Sequence, residues 1–94
     1  MPLSLKFIGA LRQVSGKTQL ITSFQEDMTL KSLVAKLSQD MPQLEKIFSD
    51  QQLGDVRSNA LVLVNGREIS VLDGLNTKLN DGDEIVFIPV VHGG

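Results

Sequence analysis

The chain reads as an α+β domain, a mixed β-sheet with one main helix packed on one face. Three observations predict it. Leu3, Leu5 and Phe7 alternate with Ser4 and Lys6, the period of a half-buried strand, and a β-rich apolar run, Ile85–Ile88, stands near the other end. Between them Leu30, Leu33, Val34 and Leu37 fall at i, i+3, i+4 and i+7, one face of an α-helix. Asn65-Gly66 directly follows an apolar run, and a two-residue hairpin turn of type I′ wants that dipeptide because both central residues take φ > 0.

In order along the chain, Leu3–Phe7 is a strand that Gly9 ends, and residues 10–17 are expected to be a connection turned by Ser15-Gly16. Thr18–Phe24, rich in β-branched residues, returns as the second strand of a hairpin. Thr29 is the expected helix N-cap, with an incomplete capping box because Ser32 stands where Glu or Gln would be. Pro42 closes this helix or opens a short second one with Leu44, Ile47 and Phe48 on its apolar side. Residues 49–58 are polar and aperiodic, a loop. Asn59–Val64 is apolar enough for a strand buried on both faces, and Arg67–Val71 is its short hairpin partner. Asp73-Gly74 turns the chain again, Leu75 and Leu79 pack under the core, and Asn80–Asp83 turns into the last strand. The order is β-β-α-β-β-β with a short extra helix. The first and last strands are expected to be parallel central neighbours, joined by the long crossover that the helix provides.

Composition narrows the function. At 94 residues and 41% hydrophobic, the chain is one small domain with a single core. A net charge of −2 with scattered lysines and arginines gives no basic face for nucleic acid. No apolar run approaches the length of a membrane span, and Met1–Lys6 lacks the pattern of a signal peptide. The absence of cysteine excludes disulfides and thiol chemistry and fits a cytoplasmic protein.

Chemistry-bearing motifs are sparse. Asn80-Asp81-Gly82-Asp83-Glu84 is the densest acidic cluster, but it lacks the alternating ligands of a calcium loop and reads as a turn. Glu68 and Asp73 read as solvated carboxylates. His92 is the single histidine, without a partner of metal-ligating spacing and on a chain end. Nucleophile-elbow, phosphate-loop and dinucleotide motifs are all missing. What remains is the ending, Pro89-Val90-Val91-His92-Gly93-Gly94. Proline cannot donate to a sheet ladder, so Pro89 is expected to stop the last strand, leaving residues 1–89 as the domain and 90–94 as a tail. Extended, that tail reaches about 17 Å. Two glycines at a chain end are by themselves ordinary. On a domain without catalytic motifs, they make the chain more a substrate than a catalyst.

The stretch from Asp81-Gly82-Asp83-Glu84 through Pro89 to Gly93-Gly94 resembles the ending of the MoaD/ThiS sulfur carriers. The resemblance extends to Ala10-Leu11-Arg12-Gln13-Val14-Ser15-Gly16, to the helix start Thr29–Leu33 and to Val64-Asn65-Gly66, and so to nearly the whole chain. Val90 replaces a second proline, and residues 41–58 are longer than in the shortest bacterial members, as in archaeal small modifier proteins. The resemblance implies a ubiquitin-like β-grasp fold. It also implies a chain whose Gly94 carboxylate is adenylated by a separate MoeB/ThiF-like enzyme using ATP and Mg, with no cofactor or metal held by the chain itself. From there two readings stay open: a thiocarboxylate sulfur carrier, most like the small subunit of molybdopterin synthase working with a MoaE-like large subunit, or a modifier joined to target lysines through Gly94, or both. A third is a non-catalytic binding module. Strand alternation places Leu5, Phe7, Ile85 and Phe87 inward and Ile8, Val86 and Ile88 outward. Ile8 and Ile88, with Arg12 at their rim and Pro89, Val90, Val91 and His92 leading to Gly93 and Gly94, are the expected partner-binding residues of a chain that is a monomer when free.

Overall fold

The computed structural model describes residues 2–49 and 60–89. Five strands form one mixed sheet, β1 (Leu3–Phe7), β2 (Gln19–Thr22), β3 (Ala60–Val64), β4 (Arg67–Glu68) and β5 (Glu84–Pro89), in the spatial order β2-β1-β5-β3-β4. Strand β5 is therefore central. It runs parallel to β1, with Phe7 opposite Phe87, and antiparallel to β3, with Val62 opposite Phe87. The parallel pairing of the first and last strands stands as the sequence predicts.

Inward residues alternate as expected: Leu3, Leu5, Phe7, Ile85 and Phe87 are all essentially inaccessible. The rings of Phe7 and Phe87 stack with centroids 5.5 Å apart and planes 14° from parallel, worth about 0.5–1.5 kcal/mol beyond their burial. Helix α2 (Leu30–Asp40) covers this face with Leu30, Leu33 and Leu37, while Val34 packs at the margin.

Two shorter helices accompany α2. Residues 10–17, expected to be a plain connection, contain helix α1 (Ala10–Ser15). Leu11, Val14 and Ser15 are its inward face, too few for a helical period to register. Ser15-Gly16 is its C-terminal signal, with Gly16 left-handed at φ 76° and its N–H donating to the Arg12 carbonyl at 2.9 Å. Helix α3 (Pro42–Ser49) starts on Pro42, whose missing N–H costs nothing in a first turn, and it buries Leu44. The side chains of Ile47 and Phe48 lie outside the described set; of the expected loop 49–58, Ser49 belongs to α3 and residues 50–58 lie outside the described set.

The capping box of α2 is complete, against expectation. The Ser32 amide donates to Thr29 Oγ1 at 3.2 Å, and the Thr29 amide donates to Ser32 Oγ at 3.0 Å, so a serine hydroxyl does what a longer side chain usually does. Thr29→Ala is expected to lower stability by about 1 kcal/mol, measured by urea unfolding. The same end of α2 is tied to the chain beyond the turns. The Leu30 amide donates to the Thr77 carbonyl and the Leu79 amide to the Met28 carbonyl, both at 2.9 Å.

The strands differ from the sequence reading in extent and in burial. Strand β2 is shorter than Thr18–Phe24, because β1 offers register only from Leu3 to Lys6. The stretch Arg67–Val71 is strand only at Arg67–Glu68; a 3₁₀ turn follows at Ile69–Val71 and sends Ile69 into the core. Strand β3 is not buried on both faces. Ala60, Val62 and Val64 are inside, whereas Leu61 and Leu63 lie half-exposed on the side of the sheet away from α2. Leu79 is buried and Leu75 packs partly against the core, as predicted.

Candidate functional site

The site is built around the end of β5. Pro89 is the last residue of that strand and stands opposite Ala60 of β3. Pro89, expected to stop the strand, is still paired in the ladder, and the residues after it lie outside the described set. On the other side of β5, β1 gives way at Ile8, whose amide donates to the Phe87 carbonyl at 3.0 Å.

The sheet face opposite α2 divides into two halves. One is largely polar, with Ile21 (in register with Ser4 and 55% exposed) as its apolar member: Ser4 and Gln19 are hydrogen-bonded at 3.1 Å, and Lys6 Nζ pairs with Glu84 Oε2 at 3.0 Å with both side chains 44% exposed. Such an exposed pair is screened and adds little to stability. The other half is apolar and lies toward the strand's end. Leu61 is in register with Ile88 and Leu63 with Val86, and Ile8, 43% exposed, follows β1 alongside. Ile8 and Ile88 thus share this face, whereas Pro89, in register with buried Ala60, has the parity of the inner face. Leu61 and Leu63 join Ile8 and Ile88 unforeseen. Their signal was present, since an apolar residue paired across the ladder with an outward position must itself point outward. Arg12 is exposed on α1, three residues along from Gly9. Val90, Val91, His92, Gly93 and Gly94 lie outside the described residues.

The acidic cluster before β5 has a structural occupation. Asp83 is buried, 6% exposed, and a carboxylate withdrawn from water needs hydrogen-bond donors. It has them: Asn65 Nδ2 donates to Oδ1 at 2.8 Å, and the Asn80 amide donates to Oδ2 at 2.7 Å. Asn65 in turn accepts from the Glu84 amide through Oδ1 at 2.9 Å, and its own amide donates to the Glu84 carbonyl at 2.8 Å. Asn65 and Gly66 have φ of 52° and 82°, the two positive values of the predicted turn. The Val64-Asn65-Gly66 and Asp81-Gly82-Asp83-Glu84 motifs are therefore two halves of one clasp, which holds the start of β5 against the β3–β4 turn. Among the described residues, no group of three or more histidine, aspartate or glutamate side chains converges as a metal site, and no helix is long and apolar enough to cross a membrane.

A mixed sheet of this order wrapped on one principal helix is the ubiquitin-like β-grasp fold. The chain belongs to the ThiS family, whose model matches residues 5–94. It is 34% identical over 95 residues to small archaeal modifier protein 3 of Haloferax volcanii, with both chains covered in full. It is 37% identical over 70 residues to an Archaeoglobus fulgidus protein that carries a sulfur-carrier name, covering 73% of this chain and 77% of that one. Among solved structures, the solution structure of small archaeal modifier protein 1 from Methanosarcina acetivorans superposes with a TM-score of 0.77 at 31% identity, covering 99% of this chain and 96% of that one.

Proposed function

We propose that this chain is a ubiquitin-like carrier whose reacting group is the Gly94 carboxylate and whose catalyst is a separate enzyme. The observation that carries this is the placement of β5. The most enclosed strand of the sheet ends at Pro89, beside an exposed apolar surface, and Val-Val-His-Gly-Gly follows. Residues 1–89 serve as scaffold and 90–94 as the working tail. A carboxylate with a pKa near ~3.5 is ionised and unreactive at neutral pH, so it must be activated. An oxygen of Gly94 attacks the α-phosphorus of ATP, the bond to the bridging oxygen breaks, and pyrophosphate leaves with its electron pair. The acyl-adenylate then reacts either with hydrosulfide, whose sulfur bonds the carbonyl carbon and leaves a thiocarboxylate, or with a lysine amine, which leaves an isopeptide bond; AMP and a proton are lost in each case. A MoeB/ThiF-like enzyme supplies the ATP and Mg sites, and the reaction belongs in the cytoplasm. Glycine at both final positions lets the tail enter a narrow channel.

The modifier outcome is favoured by the full-length similarity to small archaeal modifier protein 3, and the sulfur outcome by the sulfur-carrier relative. In the sulfur outcome a MoaE-like large subunit is the receiving partner. Activation is common to both. It is tested by ATP–pyrophosphate exchange with the activating enzyme of the same organism, which is expected to depend on this chain. Exchange that proceeds equally without it sinks the proposal.

The apolar half of the open face is the proposed docking surface. Ile8→Glu is expected to weaken binding to the activating enzyme roughly tenfold or more, by calorimetry, with the thermal midpoint unchanged because the side chain is already exposed.

A further inference from the structure

Gly9 takes φ 58° and ψ −133°, a combination that glycine occupies almost alone. It is held there from both sides: the Ile8 amide donates to the Phe87 carbonyl at 3.0 Å, and the Gly9 carbonyl accepts from the Arg12 amide at 3.0 Å. The bare side of its α-carbon faces the last residue of β5. A Cβ built on Gly9 would lie 3.2 Å from Pro89 Cγ and 3.7 Å from Pro89 Cδ, tighter than an ordinary contact at the first of these. Across the sheet Pro89 is in register with Ala60, itself buried. The proline therefore sits between β3 and a glycine, as the last described residue of the chain.

We infer that Gly9 is a positioning residue for the reacting tail: its missing side chain seats the Pro89 ring, and the pair sets the direction in which residues 90–94 leave β5 relative to the apolar face. This rests on the reading of Gly94 as the reacting group. Gly9 itself touches neither ATP nor the reacting carboxylate. It acts through Pro89, whose ring already fixes one of the two soft backbone angles at the exit. A displaced exit leaves docking intact and puts the carboxylate out of line with the α-phosphorus, and a misplacement near 1 Å costs on the order of a hundredfold in rate.

The test is ATP–pyrophosphate exchange with the activating enzyme of the same organism, read as kcat and KM for the carrier. Gly9→Ala is expected to lower kcat roughly ten- to a hundredfold with KM within about twofold, a split that loss of folded protein does not produce. Pro89→Ala removes the ring atoms Cγ and Cδ at a strand end. It is expected to lower kcat by itself, and adding Gly9→Ala to it is expected to change kcat by less than about twofold further. Should Gly9→Ala fail to fold, Pro89→Ala alone decides. A wild-type kcat in Pro89→Ala, a wild-type kcat in folded Gly9→Ala, or losses that multiply independently in the double variant each overturn the inference. If the wild-type chain supports no exchange, the proposed function fails and this inference with it. Exchange by wild type with unaffected variants removes this inference alone.

Discussion

Deleting Gly93 and Gly94 is expected to reduce carrier-dependent pyrophosphate exchange to background while leaving the thermal midpoint in place. The shortened chain still ends in a carboxylate, that of His92, so the loss does not come from the missing functional group. It comes from reach and bulk. Two residues shorten an extended tail by about 7 Å, which withdraws the carboxylate from any α-phosphorus placed to meet it. The imidazole would then occupy the position that glycine leaves empty. Stability should hold because the tail follows the last described residue of β5 and, among the described residues, the buried ones lie within Leu3–Phe87. Exchange at wild-type rate by the truncated chain would show that the two glycines have no part in activation.

Asp83→Ala is expected to be the most destabilising single change at the clasp, by about 2–4 kcal/mol. It leaves the Asn65 carboxamide and the Asn80 amide without their acceptor and removes two charge-assisted hydrogen bonds at 2.8 and 2.7 Å. In a domain of this size that is a fall in thermal midpoint on the order of 10–20 °C. Asp83→Asn should fall between the variant and wild type, since one of its two terminal atoms becomes a donor where a donor already points. A midpoint within about 3 °C of wild type for Asp83→Ala would mean that the acidic turn does not hold β5 to the β3–β4 turn.

The frame of the fold was legible because its strongest signals are local. The spacing of Leu30, Leu33, Val34 and Leu37, the Asn65-Gly66 turn and the alternation of Leu3, Leu5 and Phe7 each state their structure within a few residues. The parallel pairing of β1 with β5 followed from them, because a helical crossover was available and both strands were apolar. What escaped was settled by distant partners. Helix α1 spans six residues, less than two turns, and forms because Leu11 and Ser15 find the core. Leu61 and Leu63 look as buried in sequence as Ala60 and Val62; only their register with Ile88 and Val86 turns them outward. The clasp is longer-ranged still. Asn65 and Asp83 are eighteen positions apart, and each had a sufficient local explanation as a turn residue. At the site, the outward placement of Ile8 and Ile88 was legible from strand parity and Pro89 stood out by its missing N–H, whereas Gly9 looked like a mere strand end until its φ and its approach to Pro89 were seen.

On the proposed function, Gly94 carries the chemistry and the rest of the chain presents it. The most direct measurement is the intact mass of the full-length chain after incubation with its activating enzyme, ATP and a sulfur donor, followed by fragmentation from the C-terminus. Exchange of one oxygen for one sulfur, mapped to Gly94 and absent when ATP is withheld, is the predicted result. An unchanged Gly94, in a reaction where the same enzyme activates a known carrier, would contradict it.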